Sequence, residues 1–246
     1  MIKKLLQKLV TKDSKKDVLE KIKENIAHPQ DFFHIVSLNP EIIMTSLEDS
    51  TFEHVLESAD VRIIDGTGIT YGCRALGVLA GERYQGVDLF SDILKYASDH
   101  RYRVLLIGGR PKVAERVKEC QIREGSKAQI TAIQGIADIK NPKQEELEEI
   151  FSIVADVRPH LTFLAFGSPY QEKFIHAHKE RFKHITLMGV GGSFDFVAGI
   201  VPRAPGIIRS IGLEWLFRLV IQPWRIRRQA RIVKYTWLVL KDMLVV

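Results

Sequence analysis

Residues 102–122 read YRVLLIGGRPKVAERVKECQI. Val104 to Ile107 are four successive apolar residues with no polar alternation, the pattern of a strand buried on both faces. Gly108 and Gly109 end the run, and Pro111 then opens a stretch of helical periodicity. Strand, glycine turn and helix in that order make one unit of a parallel sheet covered by helices.

The same unit recurs on both sides. Short apolar runs ending in polar or glycine-rich sequence stand at HIVSLNPEIIM (34–44), VRIIDGTGI (61–69), AQITAIQG (128–135), HLTFLAFGSP (160–169) and ITLMGVGGSFDF (185–196). Between them lie helical patterns such as GVDLFSDILKYASDH (86–100), where Asp88 reads as an N-cap. The helix at 141–159 has an acidic first half, suited to the positive end of its dipole. Residues 2–10 read as a short amphipathic helix. The expected architecture is α/β, a mostly parallel, Rossmann-like sheet with helices on both faces. No internal repeat or low-complexity segment interrupts it.

Composition shifts at VPRAPG (201–206). All three tryptophans lie beyond it, among arginines. From 201 to 246 nine basic residues face two acidic ones, a local +7 in a chain of net charge +6. The division expected is therefore an α/β domain over 1–200 and a basic helical appendage over 201–246. A local excess of cations seeks an anionic partner: nucleic acid, lipid surface or phosphate. Two distant cysteines, Cys73 and Cys120, give neither a disulfide framework nor a C-x-x-C motif, which fits a reducing, cytoplasmic compartment. No run of about 18 uncharged apolar residues occurs, so no membrane-crossing helix is expected.

In such sheets ligands bind at the carboxyl ends of the strands. Five of those ends are rich in glycine or polar residues: SLNPE (37–41), DGTG (65–68), GGRP (108–111), GSPYQE (167–172) and GVGGSFD (189–195). Glycine turns let backbone N–H groups approach a phosphate, and the following helix N-terminus favours the anion. A phosphorylated or nucleotide ligand follows. No G-x-G-x-x-G follows an early strand, no G-x-x-x-x-G-K-[ST] occurs, and the eight histidines form no H-E-x-x-H. The D-x-D metal clamp of many sugar transferases is also missing, so no metal or other cofactor is expected. At this point Asp65 has two readings, a turn former or the group around which a site is built.

The ordered set NPEI, DGTGI, ERYQGVDL, LLIGG, GSPYQEKF, GVGGSFDFVAG, RAPG and GLEWLFRL, spanning about 34–230, resembles the WecG/TagA/CpsF family of bacterial glycosyltransferases, glycosyltransferase family 26. The resemblance implies inverting, metal-independent transfer of a sugar, N-acetylmannosamine or its uronic acid, from a UDP-sugar. The acceptor it implies is a polyprenyl-diphosphate-linked sugar, in teichoic-acid, common-antigen or capsule synthesis at the inner membrane face. It also implies a self-associating, homo-oligomeric core.

Inverting transfer needs one base for the acceptor hydroxyl, and Asp65 is the candidate. For substrate binding the candidates are Ser37, where family members commonly have Thr, Asn39, Arg83, Gly108, Gly109, Gln171 and Asp195, the last toward ribose or uracil. Tyr84 and Gln85 depart from the family's usual pattern. Of the tail arginines, Arg218 and Arg225 are candidates to meet the diphosphate. The tail as a whole suits a membrane interface, each cation near anionic lipid being worth about 1 kcal/mol. Two rivals stand beside this reading: a non-catalytic nucleotide-binding module that docks at membranes, and a nucleic-acid-binding protein. The second is disfavoured because the core offers no recognised nucleic-acid module.

Overall fold

A computed structural model describes residues 1–29, 31–210, 212–223 and 226–244, with backbone alone at 210 and 227–229. Its centre is one six-stranded parallel sheet in the order β2-β1-β6-β5-β3-β4. The strands are β1 (Phe33–Leu38), β2 (Val61–Ile64), β3 (Arg103–Gly108), β4 (Gln129–Ile133), β5 (Leu161–Ala165) and β6 (Thr186–Gly189). Each coincides with one of the six apolar runs. Pairing Val36 with Arg62 and Ile35 with Met188 sets β2, β1 and β6 side by side with their carboxyl ends on one edge.

The helices up to the middle of the chain are α1 (Ile2–Leu9), α2 (Lys15–Ala27), α3 (Pro40–Glu48), α4 (Ser50–Glu57), α5 (Thr67–Ala75), α6 (Gly86–Asp99) and α7 (Val113–Arg123). After them come α8 (Gln144–Val157), α9 (Tyr170–Ala177), α10 (Ser193–Val197), α11 (Gly206–Ser210), α12 (Glu214–Ile221) and α13 (Ile226–Leu244). Strand residues alternate between the faces, as a period of two requires. Ile35, Ile63, Val104, Leu106, Phe163 and Met188 pack under α2, α6 and α7. On the other face Val36, Leu38 and Ile64 lie in the cluster of α1, α3, α4, α5 and α13, and Leu105, Ile107, Leu164 and Leu187 in that of α8 and α9.

Several local expectations are corrected. Asp88 is the third residue of α6 rather than its N-cap, which is Gln85, and its carboxylate pairs with Arg203 at 2.9 Å. The helix expected to open at Pro111 begins at Val113, because Lys112 takes a left-handed φ of 66°. After DGTG the chain turns directly into α5. Helix α2 went unread in the sequence although Ser14 and Asp17 form its capping box.

The C-terminal segment docks on the sheet through its last helix. Tyr235, Leu238 and Val239 of α13 are buried in the core. A Cβ added at Gly72 of α5 would stand 2.2 Å from the Tyr235 Oη, so these helices meet at a glycine. Asp242 accepts the N-terminal amine at 2.7 Å, and Lys234 pairs with Glu48 at 2.7 Å. Outward-facing Trp215, Leu216 and Val220 on α12, and Trp237 and Leu240 on α13, remain exposed. Among the described residues no helix is long and apolar enough to cross a membrane.

Candidate active site

The carboxyl ends of β2, β1 and β6 open into a cleft of about 440 Å³, roofed by residues of α12 and α13. Ser37, Asn39, Asp65, Arg83, Gln171 and Arg218 all line it. Four of the five glycine- or polar-rich strand ends contribute to its wall. The fifth, at 108–111, does not.

Asp65 sits where β2 gives way to the turn before α5, and its backbone N–H bonds Leu38 O at 3.0 Å. The segment 83–86 runs beside the end of β2. Tyr84 N–H donates to Ile64 O at 2.9 Å, and Arg83 Nε donates to Asp65 O at 2.8 Å. This delivers the Gly86 N–H, the first residue of α6, to Asp65 Oδ1 at 2.9 Å. Asp65 therefore caps a helix, but a distant one. Oδ2 accepts no hydrogen bond from the described residues. Desolvation pushes the Asp65 carboxyl above the ordinary carboxylate range; the Gly86 N–H and the charges of Arg83 and Arg218 pull it down, and Glu214 adds a small upward push.

The glycines of DGTG give room more than flexibility. Cβ atoms added at Gly66 and Gly68 would stand 2.9 and 2.6 Å from Pro40 ring carbons. Only glycine lets the Asn39-Pro40 turn close against the Asp65 turn. Asn39 spends Oδ1 on capping α3, accepting Ile42 N–H at 3.0 Å. At Gly86 an added Cβ would meet Ser37 Oγ at 3.0 Å, which places that hydroxyl beside Asp65.

Gln171 joins two turns. Its Oε1 accepts the N–H groups of Gly167 at 3.1 Å and Gly191 at 3.2 Å. Gly189 leaves space for it, since a Cβ there would lie 2.5 Å from Nε2. The beginnings of α3, α5 and α9 all stand at the cleft, so three positive helix ends converge on it. Arg218 enters from α12, its guanidinium 4.4 Å over the Phe196 ring and close to Gly192. Nothing is described of Arg225, which lies outside the described residues.

Gly108, Gly109 and Asp195 form a separate group. Asp195 Oδ1 pairs with Arg110 Nη2 at 2.9 Å, and Gly109 packs beside Phe194 and Val113 while its carbonyl accepts Gln134 Nε2 at 3.2 Å. The sheet order sets the two glycines apart, since β5 and β6 stand between β3 and β1, and Asp195, which follows β6, is turned toward them by its pairing with Arg110.

Several cleft residues escaped the sequence reading. Glu214, 7% exposed, accepts Gln85 Nε2 at 2.5 Å and faces Arg203 Nε at 3.4 Å. Thr67 Oγ1 donates to Gly212 O at 3.2 Å. These contacts tie the tail to the head of α6 and to α5. The available signal for Glu214 was its place as one of only two acidic residues in a basic tail. Glu172, 1% exposed, was passed over inside a motif read for its glutamine.

Residues 3–245 match the family model described as glycosyl transferase WecG/TagA/CpsF family. The chain belongs to that family. It is a glycosyltransferase. Among its relatives, an N-acetylglucosaminyldiphosphoundecaprenol N-acetyl-beta-D-mannosaminyltransferase of Bacillus subtilis (strain 168) is 32% identical over 208 residues, covering 85% of this chain and 79% of the relative. A protein of the same description from Bacillus spizizenii is 35% identical over 208 residues, covering 84% and 78%.

Proposed function

We propose that this glycosyltransferase moves an N-acetylhexosamine, N-acetylmannosamine or its uronic acid, from a UDP-sugar to a polyprenyl-diphosphate-linked sugar, with inversion and without a metal. The observation that carries the reading is Asp65. It is a half-buried carboxylate at the open edge of the sheet, with one oxygen fixed by Gly86 and the other accepting no hydrogen bond among the described residues, in a cleft ringed by helix N-termini and arginines. The names of the two relatives support the lipid-diphosphate acceptor and the mannosamine donor.

In this mechanism the ionised Asp65 takes the proton from the acceptor hydroxyl through Oδ2. The acceptor oxygen bonds to the anomeric carbon on the face opposite the diphosphate. The bond from that carbon to phosphate oxygen breaks, and UDP leaves with the electron pair. A base whose pKa is raised toward working pH is more effective than an ordinary aspartate, and such groups are typically worth about 10²–10⁴-fold. Backbone N–H groups at the head of α5, with Arg83 and Arg218, stabilise the departing charge. From there the nucleoside follows the Gly191–Gly192 turn toward Asp195, Gly108 and Gly109.

Residues 201–246 serve as the membrane-facing part of the site. Exposed Trp215, Leu216, Trp237 and Leu240 beside Lys241 support docking as a peripheral, self-associating protein on the inner membrane face. The reading is tested by incubating the protein with UDP-N-acetylmannosamine and a synthetic polyprenyl-diphosphate N-acetylglucosamine in EDTA, then determining the product's anomeric configuration by NMR. Transfer with inversion is expected. Retention, or transfer that requires added metal, overturns it.

A further inference from the structure

Glu172 lies at the start of α9, and its carboxyl is half engaged. Oε1 accepts Gln171 Nε2 at 2.8 Å. Oε2 is buried, as is the hydroxyl of Ser168, and neither has a hydrogen-bond partner among the described residues. Both residues line the cleft. Burial pushes the Glu172 carboxyl upward; Gln171, the Glu172 backbone N–H and nearby Ser168 oppose this. Oε1 is thus committed to Gln171, and Oε2 keeps its hydrogen-bonding capacity at the cleft wall. Buried polar groups are ordinarily paired, so two orphans in one cleft wall call for a ligand atom.

The strand order indicates which part of a ligand reaches them. Asp65 ends β2, and Gln171, which holds Glu172, is clamped against Gly189 and Gly191 at the end of β6. With β1 between them, that is two strand spacings, about 10 Å. Such a gap takes the acceptor hydroxyl at Asp65 and one hexose ring reaching from it toward Glu172.

We propose that Glu172, with Ser168, is the specificity-determining pair for the donor sugar: Glu172 Oε2 hydrogen-bonds a hydroxyl of the transferred hexosamine remote from its anomeric carbon. This rests on the nucleotide-sugar reading of the cleft. A site built around a buried hydrogen bond loses affinity when one partner is removed, because the other stays unpaired.

The test uses the full chain, with UDP affinity measured by calorimetry and donor KM and kcat in the transfer assay. Glu172→Ala is expected to raise donor KM at least about tenfold while UDP affinity stays within about threefold. Glu172→Gln keeps a carbonyl for Gln171 and puts an amide N–H at the Oε2 position, from which a sugar hydroxyl can accept, and should return KM to within about threefold of the parent. Equal weakening of UDP and donor, an unchanged KM, or a Gln variant no better than Ala would each overturn the assignment. Should Glu172→Ala fail to fold, Ser168→Ala gives the same split at smaller size, and an unchanged KM there overturns it. A parent protein that binds neither UDP nor UDP-sugar defeats the underlying reading. One that binds both, with Glu172 variants indistinguishable from it, defeats only the role of Glu172.

Discussion

The carboxyl ends of β2 and β3 both finish in paired glycines, yet the glycines are there for different reasons. After β3, Gly108 and Gly109 take φ of 90° and 88°, a region other residues enter only with strain. After β2, Gly66 has an ordinary φ of −83°, and what matters is the missing Cβ, which lets Pro40 close in. The first pair shapes a turn that packs on Phe166 and Phe194. The second pulls two strand ends together around a carboxylate. Identical letters at equivalent strand ends thus serve conformation in one place and proximity in the other, and only the second borders the cleft. In the mechanism, the β2 end carries the chemistry and the β3 end holds the nucleoside.

That contrast can be broken at either end. Arg218→Ala removes a cation from the chemical end, and kcat should fall by roughly 10²-fold, with weaker UDP binding measured by calorimetry. Gly68→Ala drives a methyl to within 2.6 Å of Pro40. It should lower both melting stability, by about 1–3 kcal/mol, and turnover, because the Asn39 and Asp65 turns separate. At the other end, Asp195→Asn and Gly109→Ala should raise donor KM by up to about tenfold in steady-state assays while kcat is nearly kept. A kcat loss there as large as that at Arg218 would erase the distinction. The smallest effect expected is on stability. The Asp65 carboxyl titrates higher in the folded chain than in the unfolded one, so its contribution to stability is present at low pH and lost as pH rises through the folded value. Asp65→Asn should therefore melt slightly higher than the parent at neutral pH, by calorimetry.

Much of the fold was legible because buried parallel strands announce themselves. VLLI, TFLA and VRII carry little but apolar side chains and end at glycine or a polar turn. Helix α5 went unread beyond its opening glycine turn because its sequence, TGITYGCRA, is poor in helix formers, and its pairing with Tyr235 of α13 supplies what propensity does not. The cleft was legible where its lining sits at a strand end, as at Ser37, Asn39 and Asp65. It was not legible where a residue acts through strand order. Nothing local separates GGRP from DGTG; the sheet order does, by inserting β5 and β6 between β3 and β1. Glu172 and Glu214 were missed for a related reason, since an acidic residue in a helix's first turn is ordinary until the structure buries it. Tyr84 and Gln85, which depart from the family pattern, prove to be structural links, the one bonding Asp92 and the other Glu214 of the tail.

The central claim is that Asp65 is the base, and a pH series on Asp65→Asn tests it most directly. Turnover with UDP-N-acetylmannosamine and the lipid-linked acceptor should rise in the parent as pH climbs through a value above the ordinary carboxylate range, the base acting in its ionised form. In the Asn variant, turnover should be lower by about 10²–10⁴-fold and lack that rise, with the UDP dissociation constant within about threefold of the parent. Near-parental turnover in the variant, or a pH rise that survives the substitution, would contradict the account.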